Sequence, residues 1–269
     1  MTSGRVGAVR PWEWALPPAP VRREVLSALP DVDTGRPPLL FVPGMGHGSW
    51  CFAEHWLPYA ASRGFPAHAV SLRGHGGSGA APRPGRTLLR DYVHDVVQEA
   101  VRLPVRPVLV GHSMGALVVA RALARYPARG AVLVAPLGPG AAVARARRYP
   151  ADTLRGLSGR PIRLTATELF GTDGGAAAAY ADRLTPEPPL VQYQLVLSRV
   201  PEPPRGEPPV LVLGSRGDRA VPAADVERAA RRHGTSPLWV DATGHELMLE
   251  PGWQRPLDAI LDWVDRLPR

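Results

Sequence analysis

One turn in the chain has residue types that could carry covalent chemistry: Gly111-His112-Ser113-Met114-Gly115, directly after the apolar run Val108 to Val110. A tight strand-to-helix turn strains the backbone of its central residue, and the strain is tolerable only if the flanking positions are small, hence Gly111 and Gly115. The Ser113 hydroxyl then projects above the sheet as a candidate nucleophile. The Met114 N–H, at the positive end of the following helix, is placed to stabilise a developing oxyanion. The bland alternative is a Gly-rich turn with an incidental serine; the buried strand before the turn and the amphipathic helix after it argue against that.

A serine hydroxyl is a weak nucleophile at neutral pH and needs a base, which in turn needs an orienting acid. The run Val210 to Leu213 leads into Gly214-Ser-Arg-Gly-Asp-Arg-Ala-Val-Pro222, which places Asp218 in a loop at a strand's carboxyl end. The run Leu238 to Val240 leads into Asp241-Ala-Thr-Gly-His-Glu-Leu-Met248, which places His245 in the next such loop. Gly217-Asp218 is also a turn-type pair, so a purely local role for Asp218 stays open, with Asp241 and Glu246 as rival acids. Of the eight histidines, His245 alone follows a late strand after both Ser113 and Asp218; His75 and His47 are the rivals. His112 adjoins the nucleophile and should point away from it.

A second oxyanion donor is expected from the loop after an early strand, Phe41-Val-Pro-Gly-Met-Gly-His-Gly-Ser-Trp50. Gly44, Gly46 and Gly48 let the backbone approach a substrate, and the Met45 N–H is the natural partner of Met114 N–H. Gly44, His47, Trp50 and His112 form the candidate substrate-binding set. A phosphate cradle is a weak reading of this loop, because the G-x-G-x-x-G spacing and a lysine are both missing.

These residues need a scaffold, and the apolar pattern supplies one. Short apolar runs suited to buried parallel strands lie at Leu39 to Val42, Ala67 to Ser71, Val108 to Val110, Ala131 to Val134, Val210 to Leu213 and Leu238 to Val240. Helical spacing appears over Leu88 to Leu103, Met114 to Arg125, Ala223 to Arg232 and Gln254 to Arg266. In the first of these Leu89, Tyr92, Val93, Val96, Val97 and Ala100 share a face while Asp91, Asp95 and Glu99 look elsewhere. This alternation predicts an α/β fold, a mostly parallel sheet with helices on both faces. Residues 1–36, rich in Pro and Arg and anchored only by Trp12 and Trp14, read as a mobile arm leading into an edge strand. Residues 37–136 and 210–269 form the core. The interval 137–209 is too long for an ordinary crossover and reads as an inserted helical cap.

Composition narrows the function classes. The net charge of +8 comes from 32 arginines without a single lysine, so Schiff-base chemistry and a phosphate-loop lysine are excluded. The arginines are scattered and not interleaved with aromatics, which argues against nucleic-acid binding. The densest group, Arg145, Arg147 and Arg148, reads as a solvated face in preference to a site for an acidic substrate. One cysteine, Cys51, excludes an internal disulfide framework and a Cys-rich zinc site. No stretch reaches the ~18 continuous apolar residues of a spanning helix, and prolines break the start of the chain where a signal peptide would need an apolar core. The expectation is a cytoplasmic protein, monomer or homodimer, without stable membrane anchoring, cofactor or metal, acting on a small molecule.

The stretches PGMGHGSW, SLRGHGGSG, GHSMG, LGSRGDRAVP and GHELMLEPGW, in that order, resemble the motifs of the α/β-hydrolase superfamily over about residues 38 to 268. The chain is most similar to bacterial lipase-like or lysophospholipase-like hydrolases and to the plant methyl-esterase and hydroxynitrile-lyase branch. The resemblance implies an α/β-hydrolase fold with Ser113 as nucleophile, His245 as base, Asp218 as acid, and Met45 and Met114 N–H as oxyanion hole. Two positions depart from the pattern. Pro43 stands where these proteins usually have His before the oxyanion Gly, which removes a loop-stabilising hydrogen bond, and Ser71 replaces the common Asp before the R-G-H-G stretch. The implied activity is hydrolysis of a carboxylic ester or thioester of a small to medium, mainly apolar substrate through an acyl-serine intermediate. The same residues would also serve lyase, acyl-transfer or cyclisation chemistry in a biosynthetic pathway, and a non-catalytic binding module would normally have lost one of the three.

Overall fold

In the computed structural model, residues 17–138, 165–170, 175–197, 200–241 and 244–268 are described, with a few isolated positions between 147 and 160. Seven strands form one sheet: β1 (Val25–Ala28), β2 (Leu39–Val42), β3 (Ala67–Val70), β4 (Val108–His112), β5 (Gly130–Val134), β6 (Val210–Ser215) and β7 (Leu238–Val240), in spatial order β1-β3-β2-β4-β5-β6-β7. β1 runs antiparallel to β3 at the edge, and every other pairing is parallel. The expected strands are all present, with ends moved by one or two residues. β4 continues to His112 because its ladder with β5 runs on to the pair His112–Val134.

The strands read as continuous apolar runs because both faces are covered, yet each alternates between two cores. Leu39 and Phe41 of β2 and Val108 and Val110 of β4 pack toward α1 (Trp50–Ala53), α2 (Trp56–Ser62) and α9 (Gln254–Asp265), against Phe52, Trp56, Leu257, Ile260 and Leu261. Leu40, Val42 and Leu109 point the other way, toward α3 (Leu89–Arg102), α4 (Met114–Leu123) and α8 (Ala223–Arg232). Within the expected cap, the described residues form three short helices, α5 (Ala166–Phe170), α6 (Ala176–Ala181) and α7 (Pro189–Val196). Arg145 and Arg148 lie outside the described residues, as do Trp12 and Trp14. No helix among the described residues is long and apolar enough to cross a membrane.

One sequence expectation needs correction, and the reason begins on α3, whose acidic residues are covered: Asp95 is fully buried, and Asp91 and Glu99 are nearly so. Asp95 takes a bidentate fork from Arg73 (2.9 and 2.7 Å) and the Arg73 N–H (3.1 Å), while Arg23 bridges Asp95 (3.5 Å) and Glu99. Arg23 belongs to the segment expected as a mobile arm, and that segment is tied down from Ala19 onward. Ala19 C=O accepts from Arg73 (3.2 Å), Arg22 C=O from Gly79 N–H (2.8 Å) and Glu24 C=O from Ser71 N–H (2.9 Å).

The arm also answers the Ser71 departure. The Glu24 carboxylate accepts from Ser71 Oγ (2.6 Å), Ser49 Oγ (2.8 Å) and Gly77 N–H (3.0 Å), so the acid that holds the R-G-H-G loop arrives from β1's approach instead of from position 71. Partial burial pushes its pKa up, but these hydrogen bonds and Arg22 outweigh that and leave it below the usual carboxylate range.

Removing one partner of a buried, bidentate ion pair leaves an uncompensated charge. Asp95→Ala is therefore expected to lower the unfolding free energy by about 3–5 kcal/mol in a denaturant titration. A loss within about 0.5 kcal/mol, the range of a surface substitution, would show that the Arg73–Asp95 pair holds nothing together.

Candidate active site

All the loops that carry candidate residues leave the carboxyl ends of the parallel strands. Ser113 joins β4 to α4 with φ 54° and ψ −117°, a conformation that non-glycine residues avoid. The two flanking glycines are required by backbone contacts. A Cβ on Gly115 would lie 2.2 Å from Val42 O and 2.5 Å from Pro43 O, and one on Gly111 would lie 2.4 Å from Gly115 O. The turn is fastened by Ser113 N–H to Val134 O (2.9 Å) and by Leu137 N–H to Ser113 O (3.2 Å). Met114 opens α4, so its N–H belongs to the first turn, which has no acceptor within the helix.

Asp218 uses its two oxygens for two purposes. Oδ1 accepts the N–H groups of Ala220 (2.8 Å) and Val221 (2.9 Å) and shapes the turn after β6, and Oδ2 lies 2.7 Å from His245 Nδ1. One side chain thus shapes its own turn and meets the His245 ring. The contact makes Nδ1 a protonated nitrogen, so that once the ring is neutral Nε2 carries the lone pair for a proton from elsewhere. Burial alone would lower the pKa of His245, which is 3% exposed, but Asp218, then Glu246 and Glu250, outweigh it and raise the value to about 9. A histidine raised in this way stabilises the fold at low pH. Its contribution is complete below the ordinary value of 6.5 and is lost as pH rises through about 9.

The rival residues are committed elsewhere. Asp241 is exposed. Glu246 faces His47 Nε2 (3.5 Å) and His112 Nδ1 (3.9 Å), and these three imidazoles, His245 included, hold its carboxyl below the usual range against the upward push of burial. His75 contacts Glu187 (3.2 Å), and His47 Nδ1–H donates to Met45 O (3.0 Å). His112 sits between the Ser113 turn and the His245 loop. It is buried, its Nε2–H donates to His245 O (2.9 Å), and its ring packs 4.7 Å from that of His245. Burial pulls its pKa down to about 4, so it is a neutral brace between the Ser113 turn and the His245 loop.

Of the other proposed substrate-binding residues, Gly44 lies against the turn: a Cβ there would be 3.2 Å from Ser113 Cβ. His47 and Trp50 stack on each other (5.4 Å), with Tyr180 of α6 beyond Trp50 (6.2 Å) and the Arg183 guanidinium over the indole (4.1 Å). Both are buried, packed beneath α6. Ser113 is itself only 7% exposed. A cavity of about 280 Å³ lies behind the turn, lined mostly by apolar residues such as Leu117, Leu133, Leu137, Leu195 and Val200 and not by Ser113 or His245. His112, His245 and Glu246 bring metal-capable atoms within 4.8 Å of one another, the one such trio found among the described residues. Sequence reading missed Glu187, Glu250 and the Leu169 carbonyl. Glu250 accepts Gly244 N–H (2.9 Å), and Leu169 O accepts His245 N–H (2.8 Å).

Comparison with known proteins agrees with this architecture. Residues 39–263 match the alpha/beta hydrolase family profile, and the chain belongs to that family. No curated protein sequence is significantly similar to it. Among solved structures, it resembles the enol-lactonase from Burkholderia xenovorans LB400 at 17% identity and TM-score 0.66, with 91% of this chain and 96% of that one covered. It resembles the monoacylglycerol lipase of Paleococcus ferrophilus at 20% identity and TM-score 0.67, over 91% and 98% of the two chains. A thermophilic esterase from Thermogutta terrifontis aligns at 18% identity and TM-score 0.65, over 92% and 95%.

Because Asp218 is the largest influence raising His245, Asp218→Asn should bring the His245 pKa well below 9 in an NMR titration of its ring resonances. An unchanged midpoint would mean that the 2.7 Å contact does not set its charge.

Proposed function

We propose that the chain is a serine hydrolase that cleaves a carboxylic ester or thioester of a small to medium, mainly apolar substrate through an acyl-Ser113 intermediate. The observation that carries this reading is the 2.7 Å contact between Asp218 Oδ2 and His245 Nδ1, at the sheet edge where Ser113 stands at φ 54°.

Ser113 Oγ attacks the substrate carbonyl while its proton passes to His245 Nε2, and Asp218 stabilises the imidazolium that forms. The carbonyl oxygen becomes an oxyanion facing Met45 and Met114 N–H. Collapse of the tetrahedral adduct breaks the bond to the leaving alcohol or thiol, which takes the proton from His245. Water then attacks the acyl-Ser113 ester, giving its proton to His245, and a second collapse returns that proton to Ser113 and releases the acid. The deep burial of Ser113 and His245 favours a second use of the same site, transfer of the acyl group to a bound acceptor other than water.

The test is turnover of p-nitrophenyl butyrate. Ser113→Ala should lower kcat by about 10³-fold or more, and wild-type activity would persist in that variant only if another group performs the attack. The base must be neutral to accept a proton, so kcat/KM should rise with pH and level off above about 9. A profile already flat from pH 6 would assign the limb to a group other than His245.

A further inference from the structure

Outside the proposed triad, the most deeply committed charge at the site is Glu187, in the link between α6 and α7. Its side chain is fully buried, and each oxygen is occupied. Oε2 accepts the Gly46 N–H (3.1 Å) and lies 3.2 Å from His75 Nε2, and Oε1 accepts the Tyr92 hydroxyl. His75 Nδ1 is turned to Arg73 O (3.2 Å), so both ring nitrogens act as donors and His75 is the imidazolium partner of Glu187. Burial pushes the His75 pKa down, but the Glu187 charge outweighs it and leaves it raised. Such a buried pair is weak evidence for stability as such; here one of its hydrogen bonds ends on a loop backbone N–H, that of Gly46.

The Gly46 carbonyl is claimed by the same segment, through Thr185 N–H (2.9 Å) and Thr185 Oγ1 (3.2 Å). Residues 185 and 187 therefore hold both polar groups of Gly46. The approach is close enough to require glycine, since a Cβ at Gly46, where φ is +75°, would stand 2.9 Å from Thr185 O. On the other side, His47 holds Met45 C=O at 3.0 Å. The Met45–Gly46 peptide is a rigid plane, and it is gripped at its C=O by His47 and at its N–H by Glu187. The neighbouring Met45 N–H can then turn only about the Met45 torsions.

We infer that Glu187 is a positioning residue for the Met45 oxyanion donor, supplied by the cap in place of the side chain that Pro43 cannot offer. This rests on the acyl-Ser113 reading above. Its consequence is that docking of the 184–187 segment completes the oxyanion hole, so the cap contributes to rate as well as to substrate selection.

Three variants test it in the full-length chain: Glu187→Leu, similar in volume without an acceptor; Glu187→Asp, which keeps the charge but withdraws it by about 1.5 Å; and Glu187→Gln, which keeps an acceptor oxygen for Gly46 N–H. With p-nitrophenyl butyrate, the Leu and Asp variants should lose about 10- to 100-fold in kcat with KM nearly unchanged. Affinity for an aliphatic trifluoromethyl ketone, whose adduct with serine carries the oxyanion, should fall by the same factor, and Gln should restore most of both. A general loss of structure would not split kcat from KM or respond to Gln. If Leu fails to fold, Asp carries the test. An active wild type whose Asp and folded Leu variants keep wild-type kcat and ketone affinity would overturn this inference alone. An inert wild type would overturn the acyl-serine reading and this inference with it.

Discussion

The arrangement depends on a backbone conformation that Ser113 would not adopt if left to itself. A non-glycine residue at φ 54° costs about 1–3 kcal/mol, and such strain persists only where surrounding structure over-determines it. Here β4 is locked between β2 and β5, the Ser113 N–H is held by Val134, and α4 begins so close to the end of β2 that Gly115 touches Val42 and Pro43 carbonyls. The strain lifts the serine out of the sheet and aims the start of α4 at the space above it. The loops carrying Asp218, His245 and Met45 are arranged around that point.

The second layer is electrostatic. Asp218, Glu246 and Glu250 surround His245 with negative charge that overrides its burial, while neutral His112 separates the turn from the histidine loop. Glu187 and Glu24 reach into the same region from the link between α6 and α7 and from the N-terminal segment, each ending on a loop backbone N–H. Carboxylates so placed hold loops that a hydrophobic core could not orient, because apolar packing is non-directional. The site is thus held from three parts of the chain that are distant in sequence.

The sheet, and the residues brought to its carboxyl edge, were legible because their signals are local. A buried run followed by G-x-S-x-G and an amphipathic helix can be read in one window, and Asp218 and His245 each follow a strand directly. What could not be read were pairings across long separations. Glu187 and Gly46 are far apart in sequence, nothing in the Pro-rich cap marks that glutamate, and Glu24 lies in a stretch whose composition suggests a free arm. Periodicity places Asp95 and Glu99 off the apolar face of α3 but cannot see that Arg23 and Arg73 pair with them. The helices α1 and α2 leave no periodic signal in the sequence because they are short and their aromatic residues, Trp50, Phe52 and Trp56, are core anchors instead of an amphipathic pattern.

The central claim is that Ser113 is the activated nucleophile of this site, and covalent trapping tests it most directly. Folded protein would be treated with an alkyl fluorophosphonate, digested, and its peptides sequenced by mass spectrometry. The account predicts a single phosphonyl adduct, on Ser113, formed faster at pH 9 than at pH 6 because His245 must first lose its proton. Folded protein that remains unlabelled, or is labelled at another residue, would contradict it.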